Sequence, residues 1–119
     1  MESEQRPWGS WHVLDVGPGY KVKRIEVRPG HRLSYQTHQR RAEHWTVVHG
    51  TATCTLEGET FEVTAGGYAD VGIGVAHRIA NLHDEELVVI EVQRGDYTGE
   101  DDIIRLDDDY GREADSVAT

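Results

Sequence analysis

The sequence predicts an all-β fold, a small sandwich or barrel of short antiparallel strands. Two observations carry this. Glycine and proline punctuate the chain at "GPG" 17–19, "RPG" 28–30, "HG" 49–50, "EGE" 57–59, "AGG" 65–67 and "GIG" 72–74. That rhythm suits strands and tight turns, not helices. The intervals between these turns are β-branched or alternate apolar with polar, as half-buried strands do.

Each element follows from its own residues. "YKVKRIEV" (20–27) alternates, which sets Lys21 and Lys23 on one face with Ile25 and Val27. An inward lysine needs a partner or a ligand. Gln36 and His38 are two apart and share a face wherever that segment is extended. After the short "QRRA" connection a new strand, "EHWTVV", starts at Glu43. "TATCTL" and "TFEVT" flank a glycine turn, and "TLEGETF" reads as a hairpin. "HRIANL" opens at His77 after the "GIGVA" turn. "LVVIEV" (87–92) is apolar at nearly every position and is expected deep between two layers. Only residues 100–112 are helix-compatible. Residues 1–5 and the tail after Arg112 read as disordered. Trp8, Trp11, Trp45, Tyr20, Tyr68 and Phe61 are expected in the core or an interface, with Trp45 on the face of Glu43. Cys54 reads as a small buried apolar residue. His12, His31, His49 and His83 show no ligand spacing.

The chain has 119 residues, which fits one domain over 1–119 with its core in 6–112. No apolar run approaches the roughly 18 residues that a membrane span needs. "MESEQRPWGS" has no apolar segment of a signal peptide. The single cysteine cannot form an internal disulfide, and the expected setting is a reducing cytoplasm. The net charge of -10 argues against nucleic-acid binding. That charge is uneven. Residues 95–119 hold nine acids and two arginines, whereas residues 20–41 hold seven bases and one acid. Either the basic segment docks on the acidic tail, or some of its bases face a small anionic ligand.

Gln36, His38, Glu43 and His77 form a candidate metal set. They come from neighbouring strands and can converge on one divalent cation. Imidazole and carboxylate are ordinary ligands for Zn²⁺, Mn²⁺, Co²⁺, Ni²⁺ or Fe²⁺, with zinc the first expectation. One carboxylate among three neutral ligands leaves the centre about +1, suited to stabilising an enediolate. Lone histidines are usually surface or core residues; the spacing argues otherwise. Gly30, Gln36, His38, Glu43 and Gly50 form one block. Gly66, Gly72, Gly74, His77 and Asn81 form a second. These blocks resemble the paired motifs of the cupin superfamily, except that Gln36 stands at the usual first histidine and Gly72 at the usual proline. The fold this implies is a single double-stranded β-helix, or jelly-roll, barrel.

The resemblance extends to "RPWGSW" at 6–11, "YKVKRIEVRPGHRLSYQTHQRRAEHW" at 20–45, "ANL" at 80–82 and "IEVQRGDYTGEDDIIRLDDDYGR" at 90–112. These blocks are similar to the C-terminal domain of type II phosphomannose isomerases, the bifunctional mannose-1-phosphate guanylyltransferase/mannose-6-phosphate isomerases. In that family glutamine, histidine, glutamate and histidine hold the metal. The resemblance implies a metal-dependent isomerase interconverting mannose 6-phosphate and fructose 6-phosphate through a cis-enediol. It also implies a homodimer. No Gly-rich nucleotide loop is present, so guanylyltransferase activity is not expected. Glu43 and His44 are the two candidates for the base, although alternation sends His44 to the opposite face. Lys21, Lys23, Arg41, Arg105 and Arg112 are candidates for the phosphate. The rival readings are an isomerase or epimerase of another sugar, a sugar-binding module without turnover, and an iron-dependent oxygenase.

Overall fold

A computed structural model describes residues 2–112, and these form eleven strands and no helix. They are β1 (Ser3–Arg6), β2 (Gly9–Gly17), β3 (Tyr20–Val27), β4 (Tyr35–Thr37), β5 (Arg41–His49), β6 (Thr51–Leu56), β7 (Glu59–Thr64), β8 (Tyr68–Val71), β9 (His77–Ala80), β10 (Leu87–Gly95) and β11 (Ile104–Asp107). Six make one sheet in the order β1-β2-β3-β10-β5-β8. Five make the other, β11-β4-β9-β6-β7. Trp11, Val27, Trp45, Val47, Leu87 and Val89 of the first sheet pack on Ala52, Cys54, Val63 and Ile79 of the second.

The three central strands of the larger sheet change character at the same level. In register, Leu87 lies beside Val27 and Val89 beside Ile25, then Glu91 beside Lys23 and Gln93 beside Lys21. On the other flank Val89 lies beside Val47, Gln93 beside Glu43 and Gly95 beside Arg41. All of these side chains except that of Gly95, which has none, are buried. The interior therefore has an apolar end and an ionic end, written into one strand parity on three strands.

Several expectations hold. Glu57 (φ 48°) and Gly58 (φ 82°) are both left-handed, as the two-residue loop of the β6–β7 hairpin requires. Cys54 is buried, and burial pushes its thiol up to about 11. Others are corrected. Residues 104–107 form β11, not a helix; Ile104 pairs with Thr37 and Arg105 with Gln36. Ladder pairing overrides a weak local preference there. Ser3–Arg6, read as disordered, form β1 against β2. The tail from residue 113 lies outside the described residues. β10 is buried on one face only, since Val88, Ile90 and Val92 are half-exposed. A central strand carries apolar residues on its outer face without a second layer above them. Tyr68 and Phe61 are exposed, which leaves an interface, not the core, as their expected setting.

Gly95 lets β10 approach the start of β5. A Cβ there would sit 2.0 Å from the Arg40 carbonyl oxygen and 2.9 Å from the Arg41 Cα. Backbone cannot yield as a side chain can. Gly95→Ala is expected to cost about 1–3 kcal/mol, measured by urea unfolding. A cost below about 0.5 kcal/mol, the range of an ordinary surface substitution, would show that the two strands have slack at this point.

Candidate metal centre

The ionic end of the barrel opens into a cavity that is partly open to solvent, with about 650 Å³ of empty space counting the solvent at its mouth. Its wall includes Gln36, His38, Glu43 and His77. Antiparallel pairing brings them together. Gln36 of β4 is the cross-strand partner of His77 of β9, and Glu43 projects from β5 opposite.

His38, Glu43 and His77 are all buried, and one ligand atom from each lies within 4.8 Å of the others. The His38 Nδ1 is 2.6 Å from the Asp102 carbonyl oxygen, and the His77 Nδ1 is 2.9 Å from that of Val75. A carbonyl only accepts, so each Nδ1 carries the ring proton. The Nε2 of each ring then faces Glu43, at 3.1 Å for His38 and 3.7 Å for His77. The Arg41 Nη2 lies 3.2 Å from the His38 Nε2 and 2.9 Å from the Glu43 Oε2, so a guanidinium is the cation nearest this cluster, and a divalent ion would sit among the same donors. Metal bonds of about 2.0–2.2 Å place neighbouring donors roughly 3–3.6 Å apart; the two nitrogen–oxygen spacings are near that range, and the full set, within 4.8 Å, would close slightly around an ion. The Gln36 Nε2 donates to the Ser34 Oγ at 3.0 Å, which leaves its amide oxygen as the donor on offer.

Glu43 has further partners. The Trp45 Nε1–H donates to Oε1 at 2.8 Å, and the Arg41 Nε–H to Oε2 at 2.9 Å. Burial alone would raise its pKa, but His77, His38 and Arg41 together hold it well below the usual carboxylate range. Burial lowers the pKa of His77 against the opposing pull of Glu43, which keeps Nε2 unprotonated. Glu91 goes the other way. Burial first, then the charge of Glu43, push it up to about 8. The adjoining carboxyls thus divide the work: Glu43 is ionised and Glu91 holds a proton at neutral pH.

The remaining predicted residues separate. Lys23, Arg41, Arg105 and Arg112 line the cavity. Lys23 is ion-paired to Glu100 at 2.5 Å and lies 3.9 Å over the Trp11 ring. Arg112 is held by Asp108 at 2.8 Å. Lys21 is buried beside the cavity, on the Thr98 carbonyl at 2.7 Å and on Glu100. His44 does not reach the cavity. Its ring lies on the outer face, 37% exposed, with Nδ1 2.6 Å from Asp70. Of the two expected bases, Glu43 lines the cavity and His44 does not. Sequence reasoning missed Glu91, Glu100, Arg6 and Arg78, all in the cavity wall. Glu91 was within reach, because it shares the parity of Leu87 and Val89.

Comparison with known proteins places this geometry. The family model for the mannose-6-phosphate isomerase C-terminal domain matches residues 2–108. The chain is 51% identical over 109 residues to alginate biosynthesis protein AlgA of Pseudomonas aeruginosa, covering 92% of this chain and 23% of that one. It is 47% identical over 107 residues to a mannose-1-phosphate guanylyltransferase of Salmonella montevideo, covering 90% of this chain and 23% of the relative. The Schizosaccharomyces pombe Cnp3 cupin domain superposes with a TM-score of 0.70 at 17% identity, covering 73% of this chain and 64% of that one. This likeness shows the fold, a cupin double-stranded β-helix. The expected absence of guanylyltransferase activity is overturned. A relative bearing that name matches over nearly the whole chain, and the chain spans 23% of it. A missing nucleotide loop within so short a stretch decides nothing about that activity.

The Glu91 assignment has a pH signature. Between an ordinary carboxyl value of 4.5 and about 8, folded Glu91 keeps a proton that the unfolded chain has lost. Stability therefore falls as pH rises through that window. In metal-free protein, Glu91→Gln is expected to flatten the fall in Tm between pH 6 and 8.5. Parallel curves for variant and wild type would contradict the assignment.

Proposed function

The chain belongs to the mannose-6-phosphate isomerase C-terminal family, and from that membership and the cavity we propose that it interconverts mannose 6-phosphate and fructose 6-phosphate. The observation that carries the proposal is electrostatic. In a chain of net charge -10, the cavity wall holds the cations Arg6, Lys23, Arg41, Arg78, Arg105 and Arg112 against the acids Glu43, Glu91 and Glu100. A cationic hollow in an acidic protein concentrates a small anion.

Gln36, His38, Glu43 and His77 would hold a divalent ion, with zinc the first candidate. When bound, the ion supplies Lewis acidity towards the sugar oxygens at C1 and C2. The protein's own groups do the rest. Arg105 lies on the cross-strand row Arg105–Gln36–His77. With strands about 4.8 Å apart, its Cα stands roughly 10 Å from that of His77, leaving room for the sugar between phosphate and reacting carbons. Glu91 carries the exchangeable proton beside ionised Glu43, and environments that push two carboxyls apart mark an acid–base pair. Trp8, Trp11 and Trp45 wall the cavity and keep its polar groups in a low-dielectric setting.

Protein loaded with Zn²⁺, Mn²⁺, Co²⁺ or Ni²⁺ is expected to form fructose 6-phosphate from mannose 6-phosphate, and absence of product with all four overturns the proposal. Glu43→Gln is expected to lower kcat by about 100-fold or more. Arg105→Met should raise KM for mannose 6-phosphate by about tenfold or more, the weight of one charged hydrogen bond. An unchanged KM would remove Arg105 from the phosphate site.

A further inference from the structure

The two imidazoles of the centre are oriented in different ways. His77 is fixed locally, through the Val75 carbonyl two residues away. His38 is fixed from 64 residues away, through the carbonyl of Asp102. Asp102 belongs to the connection between β10 and β11, which crosses the ionic end of the barrel. This strap is pinned along its length. The Arg40 Nε donates to Asp96 at 3.1 Å, the Lys21 Nζ to the Thr98 carbonyl at 2.7 Å, and Glu100 is ion-paired with Lys23. Tyr97 donates to Asp101 within it.

Asp102 is the pin that bears on the ligand. Its Oδ1 accepts the Gln39 backbone N–H at 2.9 Å, and its Oδ2 accepts that of Arg40 at 3.0 Å. One carboxylate thus closes the turn that follows His38, while the same residue's carbonyl holds the His38 ring proton. We propose that Asp102 is the positioning residue of the metal centre: its side chain clamps the 38–40 turn so that its own backbone oxygen fixes the His38 tautomer and aims Nε2 into the cavity. This rests on the metal reading of the site. Groups that orient a ligating imidazole through its other nitrogen typically govern affinity by about 10–100-fold. Here the orienting carbonyl cannot be mutated, but the carboxylate that holds it in place can.

The test compares wild type with Asp102→Ala, Asp102→Asn and, as a control, Asp96→Ala. The control removes an exposed pin of the same strap that touches neither the 38–40 backbone nor the cavity. Mn²⁺ and Zn²⁺ affinities are measured by competition with a chromophoric chelator. The His38 tautomer is read in metal-free protein from long-range ¹H–¹⁵N correlations. Asp102→Ala is expected to weaken binding by about 10–100-fold and to release the Nδ1–H tautomer into a mixture. Asp102→Asn keeps one acceptor oxygen and should fall between, which preserves the test if the alanine variant fails to fold. Asp96→Ala should bind as wild type. Affinity in Asp102→Ala within twofold of wild type, or equal losses in Asp102→Ala and Asp96→Ala, overturns the proposal. If wild type binds neither ion, the metal reading falls, and the tautomer then judges the positioning role. A wild-type Nδ1–H form lost in Asp102→Ala upholds that role, and an unchanged ring refutes it.

Discussion

A carboxylate sealed inside a β-barrel is the constraint around which the molecule is arranged. Glu43 is 4% exposed, and taking an ion out of water costs several kcal/mol after relaxation. Its compensation comes from the Arg41 guanidinium and the Trp45 indole N–H, which donate to its two oxygens, with the rings of His38 and His77 packed beside them. The groups meet because β4, β5 and β9 end at one level. Removing the carboxylate would leave Arg41 buried beside two imidazoles with no anion between them. Glu91, one strand away on β10, stays neutral for the same reason, since a second charge in that volume has little left to pair with.

Much of this was legible in the sequence, because periodicity is local. Glycine rhythm and alternation give the strand character of β3, β5, β6, β7, β9 and β10, and the spacing of Gln36, His38, Glu43 and His77 brings out the set that the barrel gathers. Long-range pairing is what a local reading cannot supply. β11 looks helix-compatible until Gln36 and Thr37 are found beside it. β1 looks like a loose terminus until β2 pairs with it. Asp102 lies inside the 90–112 block, yet nothing there singles it out; the role proposed for it arises from where a connection lands. His44 was the case in which a motif and a physical rule disagreed. The family resemblance suggested a base, strand alternation put the ring outside, and alternation prevailed.

Of the two readings of the uneven charge, docking is visible, and the anionic ligand belongs to the proposed function. Basic residues do dock on the acidic final quarter: Arg32 on Asp109, Arg40 on Asp96, Arg78 on Asp107 and Lys23 on Glu100. These pairs fasten β11 and the strap across the mouth of the barrel. Arg78 and Lys23 nevertheless line the cavity while so engaged. Ion pairs at the rim thus carry cations to the wall without leaving them uncompensated, and partners on the solvent side can keep them while an anion approaches from within.

The account depends on one cation lying between His38, Glu43 and His77. Crystals grown with excess Mn²⁺ and measured at the manganese absorption edge test this directly. A single anomalous peak per chain within bonding distance of the His38 Nε2, the His77 Nε2 and a Glu43 oxygen, with Gln36 turned towards it, is the predicted result. An ordered cavity with no peak, and Arg41 still seated on Glu43 and His38, would contradict the account.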